Sequence, residues 1–212
     1  MTPTRKERIE TILAKRQPNL TLILENVHDP HNVAAVMRTA DAVGIQDIYV
    51  IQTKTPRQQL WSAKASSSAA NWLTVHQFTD VASCIKEVKK TFDKIYTTHL
   101  STDAIGLYEL NLTQNVALVF GNEHDGCSQA IIKLADGNFI IPQVGIIKSL
   151  NISVACAVSL YEAYRQKEIA GHYNNTQLST KYADALLQKW SIAKAEKRAT
   201  IKVLRKAQHT NK

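Results

Sequence analysis

The sequence predicts an α/β protein: a mainly parallel sheet with helices on both faces, extended by short helical segments at each end. Three observations predict it. Short apolar, β-prone runs alternate with stretches of helical period, most runs end in glycine, proline or a polar turn residue, and the connections are long enough for parallel crossovers.

The elements follow in order. "LTLILENV" from Leu20 is a strand, ended by the turn chemistry of Asp29-Pro30. "VAAVMRTADAVG" places Val33, Val36, Met37, Ala40 and Val43 on one helical face, with Asn32 as N-cap and Gly44 as terminator. "DIYVIQ" is the next strand, so the first 51 residues form one strand-helix-strand unit. "WSAKASSSAANWL" reads as helical, "LTVHQF" as strand, "VASCIKEVKKTF" as amphipathic helix and "KIYTTHLS" as strand. "VALVFGNE" is the clearest strand, followed by "SQAIIKLADG" as helix, "NFIIPQVG" as strand and "SLNISVACAVSLYEAYRQKEIAG" as a long helix that Gly171 ends, with Ser149 as its natural N-cap.

Composition narrows the function classes. The 26 Lys and Arg against 18 Asp and Glu give a formal charge of +8 over 212 residues, which favours a polyanionic partner. From Lys194 onward seven basic residues stand against one acidic. That tail, with the basic "RKERIE…AKR" at the front, divides the chain into a basic N-terminal helix (1–18), a central domain (19–171) and a basic C-terminal helical extension (172–212) for RNA binding. No apolar run is long enough to span a bilayer and the N-terminus lacks a signal core, so no membrane partner is expected and the protein is expected in the cytoplasm. Cys84, Cys127 and Cys156 are few, odd in number and far apart, and read as small apolar packers. The spacings His28/His31 and His124/Cys127 would suit a metal, but both fall in turns where other roles fit better, and no metal is expected.

Three polar clusters fall where strands end: "HDPHN…R", "GNEHDGCS" and "IPQVGIIKSLN". Ligands of open parallel sheets collect there. None of the three carries a dinucleotide or triphosphate glycine fingerprint, so the ligand is not expected to be held by phosphates.

These residues carry a resemblance. "NVHDPHNVAAVMRTADAVG", "LVFGNEHDGCS" and "IPQVGIIKSLNISVACAVSLYEAYR", spread over residues 26–165, resemble the three signature motifs of the SPOUT superfamily of knotted methyltransferases, in its TrmH-type tRNA guanosine-2′-O-methyltransferase family. The resemblance implies S-adenosyl-L-methionine as methyl donor, tRNA as substrate, a homodimer and a deep C-terminal trefoil knot. The general rule against threaded connections would never have suggested the knot.

It also implies a cofactor pocket from His99, Leu100 and Ser101, from Gly121, Asn122 and Glu123, and from the run Ile141 to Leu150 with Gly145, Ile146 and Ser149. Gly121 and Gly145 would let those loops approach the cofactor closely; Leu100, Ile141 and Leu150 are alternatively ordinary core residues. Catalysis falls by the same resemblance to Arg38, Asn32, Glu123, Ser149 and Asn151. A guanidinium stays charged below about pH 12, so Arg38 reads as a clamp that lowers the ribose hydroxyl's pKa rather than as a literal base. Its alternative is a buried structural salt bridge. Glu123 would pair with Arg38 and fix its direction. Candidate RNA contacts are Arg5, Arg8, Arg16, His31, Lys148, Lys197, Arg198 and Arg205. Gln143 and Lys148 depart from many relatives and add polarity to the cofactor loop.

Strand one starts near residue 20, which leaves no space for the N-terminal RNA-binding domain of ribosomal-RNA relatives and favours tRNA. The favoured target is the 2′-oxygen of a D-loop guanosine. The competing readings are methylation of rRNA or another tRNA position, a non-catalytic RNA-binding protein on the same scaffold, and an NAD-type enzyme, which the missing glycine fingerprint opposes.

Overall fold

The computed structural model describes residues 2–53 and 69–191. Seven strands form one sheet: β1 (Leu20–Glu25), β2 (Asp47–Ile51), β3 (Thr74–Phe78), β4 (Lys94–Thr98), β5 (Ile105–Gly106), β6 (Val116–Phe120) and β7 (Gly137–Ile140). Their order is β3-β2-β1-β6-β4-β7-β5, and each described pairing is parallel. The helices are α1 (Pro3–Ala14), α2 (Pro30–Ala42), α3 (Val81–Val88), α4 (Gln129–Ile132) and α5 (Ile152–Ile169), with further helical backbone over 180–191. Most of the predicted "WSAKASSSAANWL" helix lies outside the described residues; its end, Ala69–Asn71, is a single 3₁₀ turn. The short β5 is not predicted, because two residues carry no periodicity.

Alternation along the central strands separates two cores. Leu20, Leu22 and Leu24 of β1, with Leu118 and Phe120 of β6, pack under α2 and α5. Ile23, Ala117 and Val119 face the other way, toward Val81 and Ile85 of α3 and Ile131 of α4. Because both faces of β1 are covered, all six of its residues are buried, as its unbroken β-prone run predicts. A third cluster joins the two ends of the chain: Ile9 and Leu13 of α1 meet Leu178, Leu186 and Trp190.

Two helix starts differ from expectation. α2 begins at Pro30, whose fixed φ and missing N–H suit a first helical position, and Asp29 caps it by accepting from the His31 amide at 2.8 Å. Asn32 is therefore not the cap, and its side chain is turned to other partners. α5 is capped by Asn151, whose Oδ1 accepts from the Ser153 amide at 2.8 Å, and not by Ser149. Gly44 does end α2 with φ of +86°.

Arg16 is a further correction. Predicted as an RNA contact, it is 1% exposed. Its guanidinium donates to Asp41 Oδ1 at 2.6 Å and to the Ile45 carbonyl at 2.8 Å, and lies 5.4 Å from the Trp190 ring centroid. Arginine's fixed fork suits three such partners at once. Arg5 is half-buried and donates to the Trp190 carbonyl at 3.2 Å, while Arg8 is exposed. Lys197, Arg198 and Arg205 lie outside the described residues. All three cysteines are unpaired and buried; burial pushes the Cys84 thiol up to about 12 and the Cys127 thiol up to about 11. Among the described residues, no group of three or more metal-binding side chains gathers and no helix is long and apolar enough to cross a membrane.

Candidate active site at the carboxyl edge of the sheet

Three predicted clusters meet where β1, β6 and β7 end. Asn151 Nδ2 donates to Asn32 Oδ1 at 3.1 Å, and Asn32 Nδ2 donates to Glu123 Oε1 at 3.0 Å. This chain of amides ties the start of α5, the start of α2 and the loop after β6 at one point. Asn151 thus caps α5 with its oxygen and organises the cluster with its nitrogen. Asn32 is buried, while Glu123 and Asn151 are exposed, so the chain runs from the protein interior to a reachable carboxylate.

Glu123 does not pair with Arg38 as expected; among the described residues no ion pair joins them. Nor is Arg38 buried: it is exposed on α2, seven residues from the exposed His31. Two helical turns, roughly 10 Å, separate that pair along one stripe of the helix. A structural salt bridge is therefore not what holds Arg38, and its charge faces outward with His31.

The loop after β6 is built from its own polar groups. Asn122 Oδ1 accepts from the amides of His124 and Asp125 at 2.7 and 3.1 Å, while its Nδ2 donates to the Asn26 carbonyl at 2.8 Å. Its side chain shapes the loop. A Cβ on Gly121 would stand 2.1 Å from the Gly126 carbonyl carbon. The loop itself approaches this glycine closely enough to require it. Gly145 has open space around it.

Residues 141–150 form an exposed apolar arm. Ile146 is 96% and Ile147 69% exposed, Leu100 just past β4 is 70% exposed, and Leu150 is partly exposed; only Ile141 packs against the core. Leu100 and Leu150 are thus not ordinary core residues. Lys148 and Ser149 are exposed, and Gln143 Nε2 reaches the Lys148 carbonyl at 3.5 Å, so the two departures from the motif meet within one loop. Among the described residues, the backbone of 142–150 makes no hydrogen bond to other backbone.

His99 and Ser101 belong to an arch across the end of β7. β4 ends at Thr98 in register with Phe139, and β5 begins at Ile105, also in register with Phe139. Residues 99–104 therefore bridge the carboxyl end of β7, fastened by Asn138 Nδ2 donating to Ser101 Oγ at 3.1 Å. Sequence reasoning missed Glu25, Asn26 and Ser128, which fasten the loop after β6 to β1; the signal was a carboxylate closing an otherwise apolar strand.

Such an arrangement defines a class of protein: a parallel α/β protein whose loops at the carboxyl edge combine exposed apolar side chains with backbone that pairs with no other backbone, where ligands of open parallel sheets collect. The comparisons make it particular. Residues 19–161 match the SpoU rRNA Methylase family, and the chain belongs to it as a TrmH-type methyltransferase. It is 40% identical over 173 residues to a tRNA (guanosine(18)-2′-O)-methyltransferase of Escherichia coli, covering 82% of this chain and 75% of that one. To the protein of the same name from Thermus thermophilus it is 37% identical over 190 residues, covering 89% and 96%. The crystal structure of an Aquifex aeolicus TrmH/SpoU tRNA modifying enzyme superposes with a TM-score of 0.82 at 32% identity, covering 90% of this chain and 96% of that one.

Proposed function

We propose that this chain transfers a methyl group from S-adenosyl-L-methionine to the ribose 2′-hydroxyl of a tRNA guanosine in the D-loop, the position 18 that its relatives' names specify. The observation that carries the reading is the Asn151–Asn32–Glu123 chain opening beside the arm 141–150.

The residues fit the donor. Leu100, Ile141, Ile146 and Leu150 offer apolar contacts and the backbone of 144–150 offers polar ones, matching a molecule of adenine, ribose and amino acid without phosphates. When bound, it supplies a methyl carbon already activated by the sulfonium charge. The chain's own part is to hold the acceptor in line and ease loss of its proton, a proximity effect worth several kcal/mol. Arg38 clamps the ribose-phosphate and lowers the hydroxyl's pKa, leaving phosphate or solvent to receive the proton. Asn32 and Asn151 fix the direction of Glu123, and Ser149, exposed two residues before Asn151, serves the same site.

We read 19–171 as the methyltransferase domain, with α1 and residues 172–212 as basic extensions that grip tRNA through Arg8, Lys197, Arg198 and Arg205, and with His31 and Lys148 nearer the acceptor. A homodimer belongs to the same reading: Val154 and Tyr161, seven apart on α5, and Val144, Ile146 and Ile147 of the arm are exposed apolar side chains that a second copy could cover. So does the deep knot, since the chain after β7 leaves the sheet at the arch 99–104. A cytoplasmic location follows from the substrate.

The test is incubation with labelled S-adenosyl-L-methionine and unmodified tRNA, followed by mapping of ribose methylation. Label on the D-loop guanosine is expected. Label only on rRNA or at another tRNA position would move the reading to that substrate, and no binding of donor with no transfer would leave an RNA-binding protein.

A further inference from the structure

We propose that Glu25 is a positioning residue for methyl transfer, acting through Ser128 to hold the loop that carries Glu123. The proposal rests on the function just given.

Glu25 closes β1 and is 2% exposed. Its carboxylate receives two hydrogen bonds from one residue: the Ser128 amide to Oε2 at 2.8 Å and the Ser128 hydroxyl to Oε1 at 2.6 Å. Both oxygens are thus fixed, and the same Ser128 Oγ accepts from the Ile131 amide at 3.3 Å to cap α4. The next residue, Asn26, sits in the left-handed region at φ of +52°. That conformation lets consecutive residues send Glu25's side chain toward Ser128 and Asn26's carbonyl toward Asn122 Nδ2, at 2.8 Å. Asn26 is held in turn by Thr53, whose amide donates to its Oδ1 at 2.9 Å.

The loop 121–128 is therefore fastened to β1 at both feet, Asn122 by Asn26 and Ser128 by Glu25. Between those feet stands Glu123, which accepts from Asn32. A buried carboxylate is costly unless its hydrogen bonds are satisfied, and a chain with no need of geometry at 123 would be served by an apolar residue here, as at every other position of β1 but Thr21. The carboxylate offers one acceptor oxygen to each Ser128 donor and so sets the loop's angle, whereas an amide has one acceptor only and must turn the Ser128 hydroxyl round to accept, which changes the geometry at the foot of the loop.

The test uses the full chain, with Glu25→Gln and Ser128→Ala as separate variants and as a pair. Amide exchange over 122–128 should quicken about tenfold or more in each while β6 stays protected. In the transfer assay kcat should fall about tenfold or more, with KM for tRNA within about threefold, because a small misplacement of a reacting group costs turnover more than binding. The pair should be little worse than either single variant. A role in stability alone would lower the melting temperature and leave kcat of the folded enzyme unchanged; that result, unchanged exchange, or additive losses would each overturn the proposal. If Glu25→Gln does not fold, Ser128→Ala carries both arms. Absence of transfer by the parent chain would instead overturn the function, and the exchange arm would then decide the clasp alone.

Discussion

The two edges of the sheet use polar residues in opposite ways. At the amino edge they are turned inward: Arg16 binds Asp41, Ile45 and Trp190, and Asp47 accepts from the Tyr182 hydroxyl at 2.9 Å while lying 2.7 Å from His76 Nε2. These contacts pin both ends of the chain to the sheet. At the carboxyl edge the interior is equally ordered, but the order ends in exposed groups, Glu123 and the open backbone of 142–150, and Arg38 is exposed two turns into α2. Buried contacts of the first kind hold the fold together; exposed groups of the second kind are available to ligands. Two arginines make the contrast sharp, since Arg16, an expected RNA contact, is buried, and Arg38, whose alternative reading was a buried salt bridge, is exposed.

The contrast breaks or holds on substitutions at the two edges. The largest effect is expected at Arg38→Ala, with a loss of roughly a hundredfold or more in kcat, about 3 kcal/mol of transition-state stabilisation, and with donor affinity and melting temperature near those of the parent. Normal turnover in that variant would refute its role. Arg16→Ala should do the reverse, lowering stability by about 2–3 kcal/mol through loss of a buried donor set, read as a melting temperature about 5–10 °C lower, with kcat of the folded enzyme retained. Loss of turnover without loss of stability would place Arg16 in the functional edge after all. Gly121→Ala should cost about 1–3 kcal/mol, because its Cβ would meet backbone at 2.1 Å and the loop must shift; crystallography of the variant would show a displaced 121–127 segment.

The smallest effect concerns Lys167, fully buried on α5, its Nζ donating to the Thr113 carbonyl at 3.3 Å. Burial pulls its pKa down to about 8. The folded state thus binds fewer protons than the unfolded between about pH 8 and the ordinary lysine value near 10.4, and stability rises with pH across that window. Lys167→Met should therefore stabilise by about 1–2 kcal/mol below pH 8, after allowance for the lost hydrogen bond, and by little above about pH 10.4. Denaturant unfolding at about pH 7 and about pH 10.5 measures this, and an equal gain at both would sever it from the buried charge.

Local signals located most elements. Alternation of apolar runs with helical period marks six of the seven strands, missing only Ile105–Gly106, and the motif resemblance marks the residues that gather at the carboxyl edge. Asn32, Glu123 and Asn151 do come together, over sequence separations of 91 and 119 residues that no periodicity reveals. The caps were misplaced by two or three residues because Ser149, Asn32, Asp29 and Asn151 are all competent cap residues, and only the backbone path chooses among them. The packing of Gly121 against Gly126 was not legible, because sequence reports that a close approach is allowed, not what approaches.

By itself the sequence determined the fold class, the family and the kind of ligand, because apolar period and motif spacing are properties of neighbours along the chain. Only the tertiary structure decided which charges face water. Whether an arginine is clasp or clamp depends on segments far from it in sequence: Arg16 is buried because Asp41, Ile45 and Trp190 converge on it, and Arg38 stays exposed because its helix turns that stripe outward. A guanidinium's desolvation is set by everything packed around it, and that sum exists only once the chain has folded.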